Sequence, residues 1–248
     1  MAKLRIILVI VAAFWAASFA LAEPNFPPLT APIVDGAGVL DQDAITIIGN
    51  RLRDYETQSG HQLAVATVRS LEGYEIRDYS NQLFRKWALG DKKKNDGVLV
   101  LIAPNEHKVS IEVGYGLEGD LTDAMSRIII ENAMVPRFKS GDYLGGIHAG
   151  IDDIEKVVGG QGDEIVQRVD NQSAFSNQDV LPFIILFIII VFILINASRG
   201  GRMIVIPGGG GFTSGNSSFG GGGGFSGGGG GWSGGGGSSG GGGASGGW

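Results

Sequence analysis

A run of seventeen residues without a charge, LPFIILFIIIVFILINA (Leu181–Ala197), sets the first limit on what this 248-residue chain can become. It is apolar on every face, whereas a helix lying on a soluble core carries a polar stripe. Counted from Val180, its eighteen residues at about 1.5 Å each reach roughly 27 Å, enough to cross a bilayer's hydrocarbon. Residues 180–197 are therefore expected to form a transmembrane helix. Asp179 precedes the run, and Arg199 and Arg202 follow it. Positive charge favours the cytoplasmic side, which places the preceding chain outside and the following chain inside.

The beginning of the chain agrees with that orientation. Lys3 and Arg5 are followed by an apolar stretch and then Ala20-Leu21-Ala22. This is the order of a secretory signal peptide, residues 1–22, cut after Ala22. The chain has no cysteine, so no disulfide can stabilise the exported part and its fold must rest on a packed core. Behind the span, residues 198–248 become almost wholly glycine and serine from Gly208 onward. So little apolar surface cannot offset the ordering entropy of so much glycine, and a disordered cytoplasmic tail is expected. Phe212, Phe219, Phe225, Trp232 and Trp248 punctuate it, and a second reading makes them weak adhesive points for a partner or for self-association.

Between the two membrane signals lies one soluble domain, residues 30–160, and a polar linker, residues 161–179. From Ile33 to Gly160 there are 20 acidic and 14 basic residues. That excess argues against nucleic-acid binding and is compatible with cation binding. The pattern gives a helix from Asp41 to Gly60, a strand over Gln62–Val68 and a helix with Ile76, Tyr79, Leu83 and Trp87 on one face. Two strands follow, Gly97–Ala103 and Val109–Val113, close enough to form an antiparallel hairpin. A helix from about Leu121 to Pro136 or just beyond comes next, then one from Asp142 to Val158. Its Gly145, Gly146 and Gly150 are expected to be compensated by close packing on the sheet. The order αβαββαα describes an α/β fold, a small mixed sheet with helices on both faces.

The stretch GYGLEGDLTD, Gly114–Asp123, contains a literal G-x-G-x-x-G. A dinucleotide site needs this loop after the first strand of a βαβ unit, and here it follows the second arm of a hairpin. Glu118 and Asp120 would also stand where a pyrophosphate sits, and like charges about 4 Å apart repel by about 4 kcal/mol at an effective dielectric of 20. The nucleotide reading is rejected. Two readings remain. In one, the glycines make a tight turn and Asp120 caps the next helix. In the other, the hairpin brings Asp96 to the same sheet edge as Asp120 and Asp123, with Glu118 in an outer role. Such a hard-oxygen set suits Ca²⁺, then Mg²⁺. Lys92, Lys93 and Lys94 alongside read as a solvated turn or as an attractor of phosphate.

Four segments carry a family resemblance: VDGAGVL (Val34–Leu40), FRKWALGDKKKNDGVLVLIA (Phe84–Ala103), IEVGYGLEGDLTD (Ile111–Asp123) and FKSGDYLGGIHAGIDDI (Phe138–Ile154). Together they resemble the TPM domain family, and the layout of signal peptide, domain, span and glycine-rich tail is similar to its bacterial YgcG-type branch. The resemblance implies an α/β/α sandwich with a divalent-metal site, commonly calcium, at one sheet edge, on Asp96, Asp120 and Asp123, with Asp35 a further candidate. It implies either a modulator of membrane complexes or an acid phosphatase. The usual nucleophilic motifs are missing from the domain, and His61, His107 and His148 lie on three separate elements. A phosphatase would have to use metal-bound water. The leading expectation is a membrane-tethered, periplasmic or extracellular accessory domain with a protein partner in the envelope and no nucleotide.

Overall fold

The computed structural model describes residues 24–197 and 232–248, with the side chains of the long last helix described only at 162–171 and 185–194. The signal peptide expected at residues 1–22 and the tail residues 198–231 lie outside the described residues.

The elements run β1 (Ile33–Asp35), α1 (Gln42–Ser59), β2 (Gln62–Thr67), α2 (Ile76–Trp87), β3 (Gly97–Ala103) and β4 (Lys108–Val113). They continue with α3 (Asp123–Ile129), a π-helical turn (Ile130–Met134), α4 (Val135–Lys139), α5 (Tyr143–Val158), α6 (Gly162–Ala197) and β5 (Gly242–Gly247). The sheet has five strands in the order β1-β2-β3-β4-β5. β1, β2 and β3 are parallel, while β4 runs antiparallel to β3 and β5 antiparallel to β4.

Two cores flank this sheet, as the strand patterns require. Leu63, Val65, Val98, Val100, Ile102, Val109, Ile111 and Val113 point to one face and pack under α1 and α3 to α5. Ala64, Ala66, Leu99, Leu101 and Ala103 point to the other, where α2 lays down Ile76, Tyr79, Leu83, Phe84 and Trp87. Covered on both faces, β2 and β3 are apolar at successive positions instead of alternating. The expected sandwich is present. β1, three residues long, escaped the pattern because period-2 alternation needs more residues to register.

Helix boundaries have local causes. The Asp41 carboxylate accepts from the Ala44 N–H at 2.7 Å to start α1, and Gly60 at φ 78° ends it. The helix around Pro136 continues to Lys139 with one widened turn. Pro136 has no N–H to donate, and the Val135 N–H reaches back five residues to the Ile130 carbonyl. The α5 glycines are not compensated by the sheet as expected. Gly146 lies against the Phe138 ring and Gly150 against the Met134 side chain, where a Cβ would collide. The close partner is the neighbouring helix.

The linker expected at residues 161–179 is instead the first half of α6. Asp163 and Glu164 sit in its first turn, where the helix dipole favours negative charge. Ile165 is buried, and Arg168 pairs with the buried Asp153. Among the described residues, which include only 185–194 of the apolar run with side chains, no helix is long and apolar enough to cross a membrane. Within the apolar stretch the described side chains are Ile185–Leu194, and all ten are exposed.

The largest departure from expectation is the tail. The stretch read as disordered supplies β5, its last six residues but one pairing along the whole of β4, from Lys108↔Gly247 to Val113↔Gly242. The entropy argument undervalued what a chain without side chains can do. It can lie against backbone that any Cβ would strike. Gly243, at φ 113°, would drive a Cβ into the Ile111 carbonyl.

Candidate functional site: a strand-accepting sheet edge

The loop before β3 and the loop after β4 meet at one end of the sheet, as the hairpin geometry predicts. The Gly114 N–H donates to the Gly97 carbonyl at 2.8 Å and the Gly116 N–H to the Asn95 carbonyl at 2.9 Å. A Cβ at Gly114 or Gly116 would strike the Asn95 or Lys94 carbonyl. The first two glycines of G-x-G-x-x-G therefore serve a backbone-to-backbone contact between two loops. Thr122, not Asp120, caps the following helix, accepting from the Met125 N–H at 3.2 Å.

Three of the four carboxylates expected at a metal have separate duties. Asp96 is buried; Oδ1 accepts from the Asp91 N–H at 2.8 Å, and Oδ2 lies 3.2 Å from His61 Nδ1. Asp91 in turn is held below the usual carboxylate range by the backbone N–H groups of Lys93 and Lys94. Asp120 is exposed. Asp123 is exposed as well, and its Oδ1 accepts from the Gly243 N–H at 2.8 Å. Asp35 is at the opposite end of the sheet: it pairs with Thr67, which pairs with Ile102 near the close of β3. Six residues of strand at about 3.3 Å each separate that level from Asp96. Asp35 clasps its own turn instead, accepting from the N–H groups of Gly38, Val39 and Leu40 and from the Thr67 hydroxyl. Among the described residues no group of three or more His, Cys, Asp or Glu is placed to hold a metal ion. In this arrangement the four acids do not fit one. Lys92, Lys93 and Lys94 form an exposed turn.

What this edge does hold is residues 232–248. Trp232 donates through Nε1 to Glu56 at 2.6 Å and packs on the α2-side core. The Gln62 side chain donates to the Ser233 carbonyl and accepts from the Gly235 N–H. The segment then passes the loop before β3, with Gly237 N–H donating to the Gly90 carbonyl at 2.7 Å and Ser238 donating through N–H and Oγ to Asn95 Oδ1. Arg85 donates to the Ser239 carbonyl and Arg77 to the Gly241 carbonyl at 2.6 Å. After β5, the Trp248 N–H donates to the His107 carbonyl, and its ring lies 4.9 Å from Phe138 and 5.7 Å from His107.

At the centre of this clamp is Glu112, 1% exposed, which accepts from Ser239 Oγ at 2.6 Å and Asn81 Nδ2 at 2.7 Å. Burial pushes its carboxyl above the usual range, against the pull of those two donors and of Arg77 and Arg85. Sequence reasoning passed over Glu112 because it alternates with Val109, Ile111 and Val113 and so reads as a solvent-facing position. The covering strand comes from too far along the chain to be seen locally. Asn81, Arg77 and Arg85 are polar positions of an amphipathic helix and carry no local signal at all.

The family model for the TPM domain matches residues 33–157. The chain belongs to the TPM domain family. Its TPM domain is also similar to solved structures. The N-terminal domain of a protein from P. gingivalis is 32% identical, with 54% of this chain and 86% of that one covered and a TM-score of 0.50. The N-terminal domain of the cg2496 protein from Corynebacterium glutamicum is 19% identical, covering 56% and 86% of the two chains at a TM-score of 0.42. The BA42 protein from the psychrophilic Bizionia argentinensis is 20% identical, covering 49% and 83% at 0.45. None of the curated proteins matches the chain. The family match ends at residue 157, so the TPM domain supplies β1 to β4 and β5 is added from outside it.

Proposed function

We propose that the chain is a membrane-tethered accessory module whose TPM domain, on the extracytoplasmic side, binds an extended glycine-rich segment along the β4 edge. The observation that carries this is the six-residue pairing of β5 with β4. Addition of a strand to a sheet edge is a general mode of peptide recognition, in which backbone hydrogen bonds supply affinity and flanking contacts supply selectivity. Here the flanking contacts are Gln62, Asn95, Arg77, Arg85 and Asp123 on the backbone, with places for two tryptophans. The tether is α6. Its ten described apolar side chains are exposed around the whole helix, and a helix that is apolar on every side belongs in apolar surroundings. An export signal at residues 1–22 supports the same sidedness.

Amide hydrogen exchange on the whole chain tests the binding mode. Protection is expected in β5 and at the β4 positions facing it, and Gly243→Val should remove both without unfolding β2 and β3. Unchanged exchange in that variant would sink the reading. Tethering is checked by flotation of the chain with lipid vesicles, lost on Ile189→Lys with Ile190→Lys. The phosphatase suggested by the resemblance is not favoured, because Asp96 and Asp123 are engaged by Asp91, His61 and Gly243. Turnover of a generic phosphoester that disappears in Asp96→Ala would restore it.

A further inference from the structure

The two ends of this chain make demands that one membrane-inserted molecule cannot meet. Residues 232–248 lie on the TPM domain, anchored at Trp232, along β5 and at Trp248. The apolar part of α6 lies between domain and tail in sequence, so a single crossing puts the tail on the far side of the bilayer. To return, the chain would have to cross again within residues 198–231. The longest uncharged aliphatic stretch there is Met203–Ile206, against the roughly 20 residues a second helix requires. The glycines around it cannot satisfy their backbone groups in hydrocarbon.

We infer that docking of a chain's own tail and crossing of the bilayer by its α6 exclude each other, so that insertion vacates the β4 edge for the tail-like C-terminal peptide of a different exported chain. This rests on the reading of α6 as a membrane span. A second copy inserted the same way is no donor, since its tail lies on the far side as well. The cradle defines the chemistry of the occupant. Position 243 must be glycine, at φ 113° against the Ile111 carbonyl, and at position 240 a larger residue would have to displace the exposed Tyr115 side chain. Residues 240–247 carry no side chain larger than a methyl or hydroxymethyl group (GGGGASGG). The end of the strand offers an aromatic ring to Phe138, Tyr143 and His107. The occupant is thus an extended peptide of glycine, serine and alanine that closes on tryptophan. Left empty, the edge would expose Glu112 and the unpaired backbone groups of β4, a surface that pairs readily with another strand.

The chain has no cysteine, so Ser110→Cys with Ser245→Cys, a cross-strand pair in β4 and β5, reports docking by disulfide formation under a mild oxidant. Cell-free synthesis of the full chain without membranes should give the in-chain crosslink; its absence would overturn the strand-accepting reading itself. Synthesis into vesicles should give molecules whose C-terminal tag is protease-protected while the domain is digested. The crosslink should be lost in that population, and its persistence there would overturn the exclusion. If no molecules of that kind form, α6 does not cross and the inference falls with it. Inserted full chain carrying Ser110→Cys alone should then form a mixed disulfide with a synthetic peptide of residues 232–248 carrying Ser245→Cys. The same peptide with Gly243→Val should fail to do so. Equal capture of both peptides, or of neither, would overturn the assigned occupant. Exchange at β4 in the unsubstituted chain, protected without membranes and open in vesicles, reads the same change with no variant to misfold.

Discussion

Asp123 and Gly243 stand 120 positions apart in sequence and are joined by a 2.8 Å hydrogen bond, from the backbone N–H of Gly243 to the Asp123 carboxylate. An acid that sits in the first turn of α3 thereby also fastens the start of β5.

Asp123→Ala should therefore loosen the tail before it affects the domain. The loss of one hydrogen bond to a charged acceptor at an exposed site is worth about 1 kcal/mol. For a domain of this size that corresponds to roughly 2–4 °C in Tm. Exchange should rise at residues 242–247 and remain low in β2 and β3; a uniform rise would show that Asp123 supports the helix instead.

Glu112 predicts a pH dependence of defined sign. Burial, to which the docked tail contributes at Ser239, raises its carboxyl more than the Ser239 and Asn81 hydrogen bonds lower it, so the docked state is expected to take up a proton more readily than the open one. The contribution is complete below the ordinary glutamate value and is lost as pH rises through the raised one. Tail docking should thus weaken at this site as pH rises above the ordinary glutamate value and through the raised one. Glu112→Gln keeps an acceptor for Ser239 and Asn81 and should flatten that trend while strengthening docking at neutral pH. Thermal melts of both chains across the range, with exchange at β5, decide it. A wild-type profile that Gln leaves unchanged would remove Glu112 from the account.

Gly146→Ala should act at a distance. The added methyl meets the Phe138 ring, and Phe138 supports Trp248. Overpacking of this kind costs about 1–3 kcal/mol. The expected signature is a lower Tm accompanied by a changed Trp248 environment, read by fluorescence in a chain whose other tryptophans are replaced by phenylalanine.

Calcium offers a direct check on the acidic edge. Asp96 has both oxygens engaged and Asp123 holds the tail, so excess Ca²⁺ or chelator should leave the melting temperature of the full chain unchanged. A rise that Asp120→Asn abolishes would instead establish the metal expected from the acids alone.

The sheet's central strands were legible because Gln62–Thr67 and Gly97–Ala103 are buried on both faces and had to be apolar throughout. The hairpin then placed Asp96 and Asp123 at the correct end. Asp35, a candidate taken from the family resemblance alone, lies at the opposite end because the parallel pairing of β1 turns its close that way. β5 was illegible for a deeper reason. Hydrophobic pattern is a property of side chains, and a strand written GGASGG has almost none. Trp232 and Trp248, expected as adhesive points for a partner or for self-association, pack instead within the chain itself.

A sheet finished by such a strand also resists polymerisation. Every unprotected edge is a template, and natural sheets commonly blunt theirs with lysine, proline or a bulge. β5 does so by near-nakedness. Its outer side carries backbone groups but scarcely a side chain to seat a newcomer, and glycine loses more freedom than any other residue when it is ordered. The strand satisfies β4 on its inner side and leaves outward only backbone whose ordering against a newcomer costs glycine most, which disfavours growth of the sheet beyond the tail.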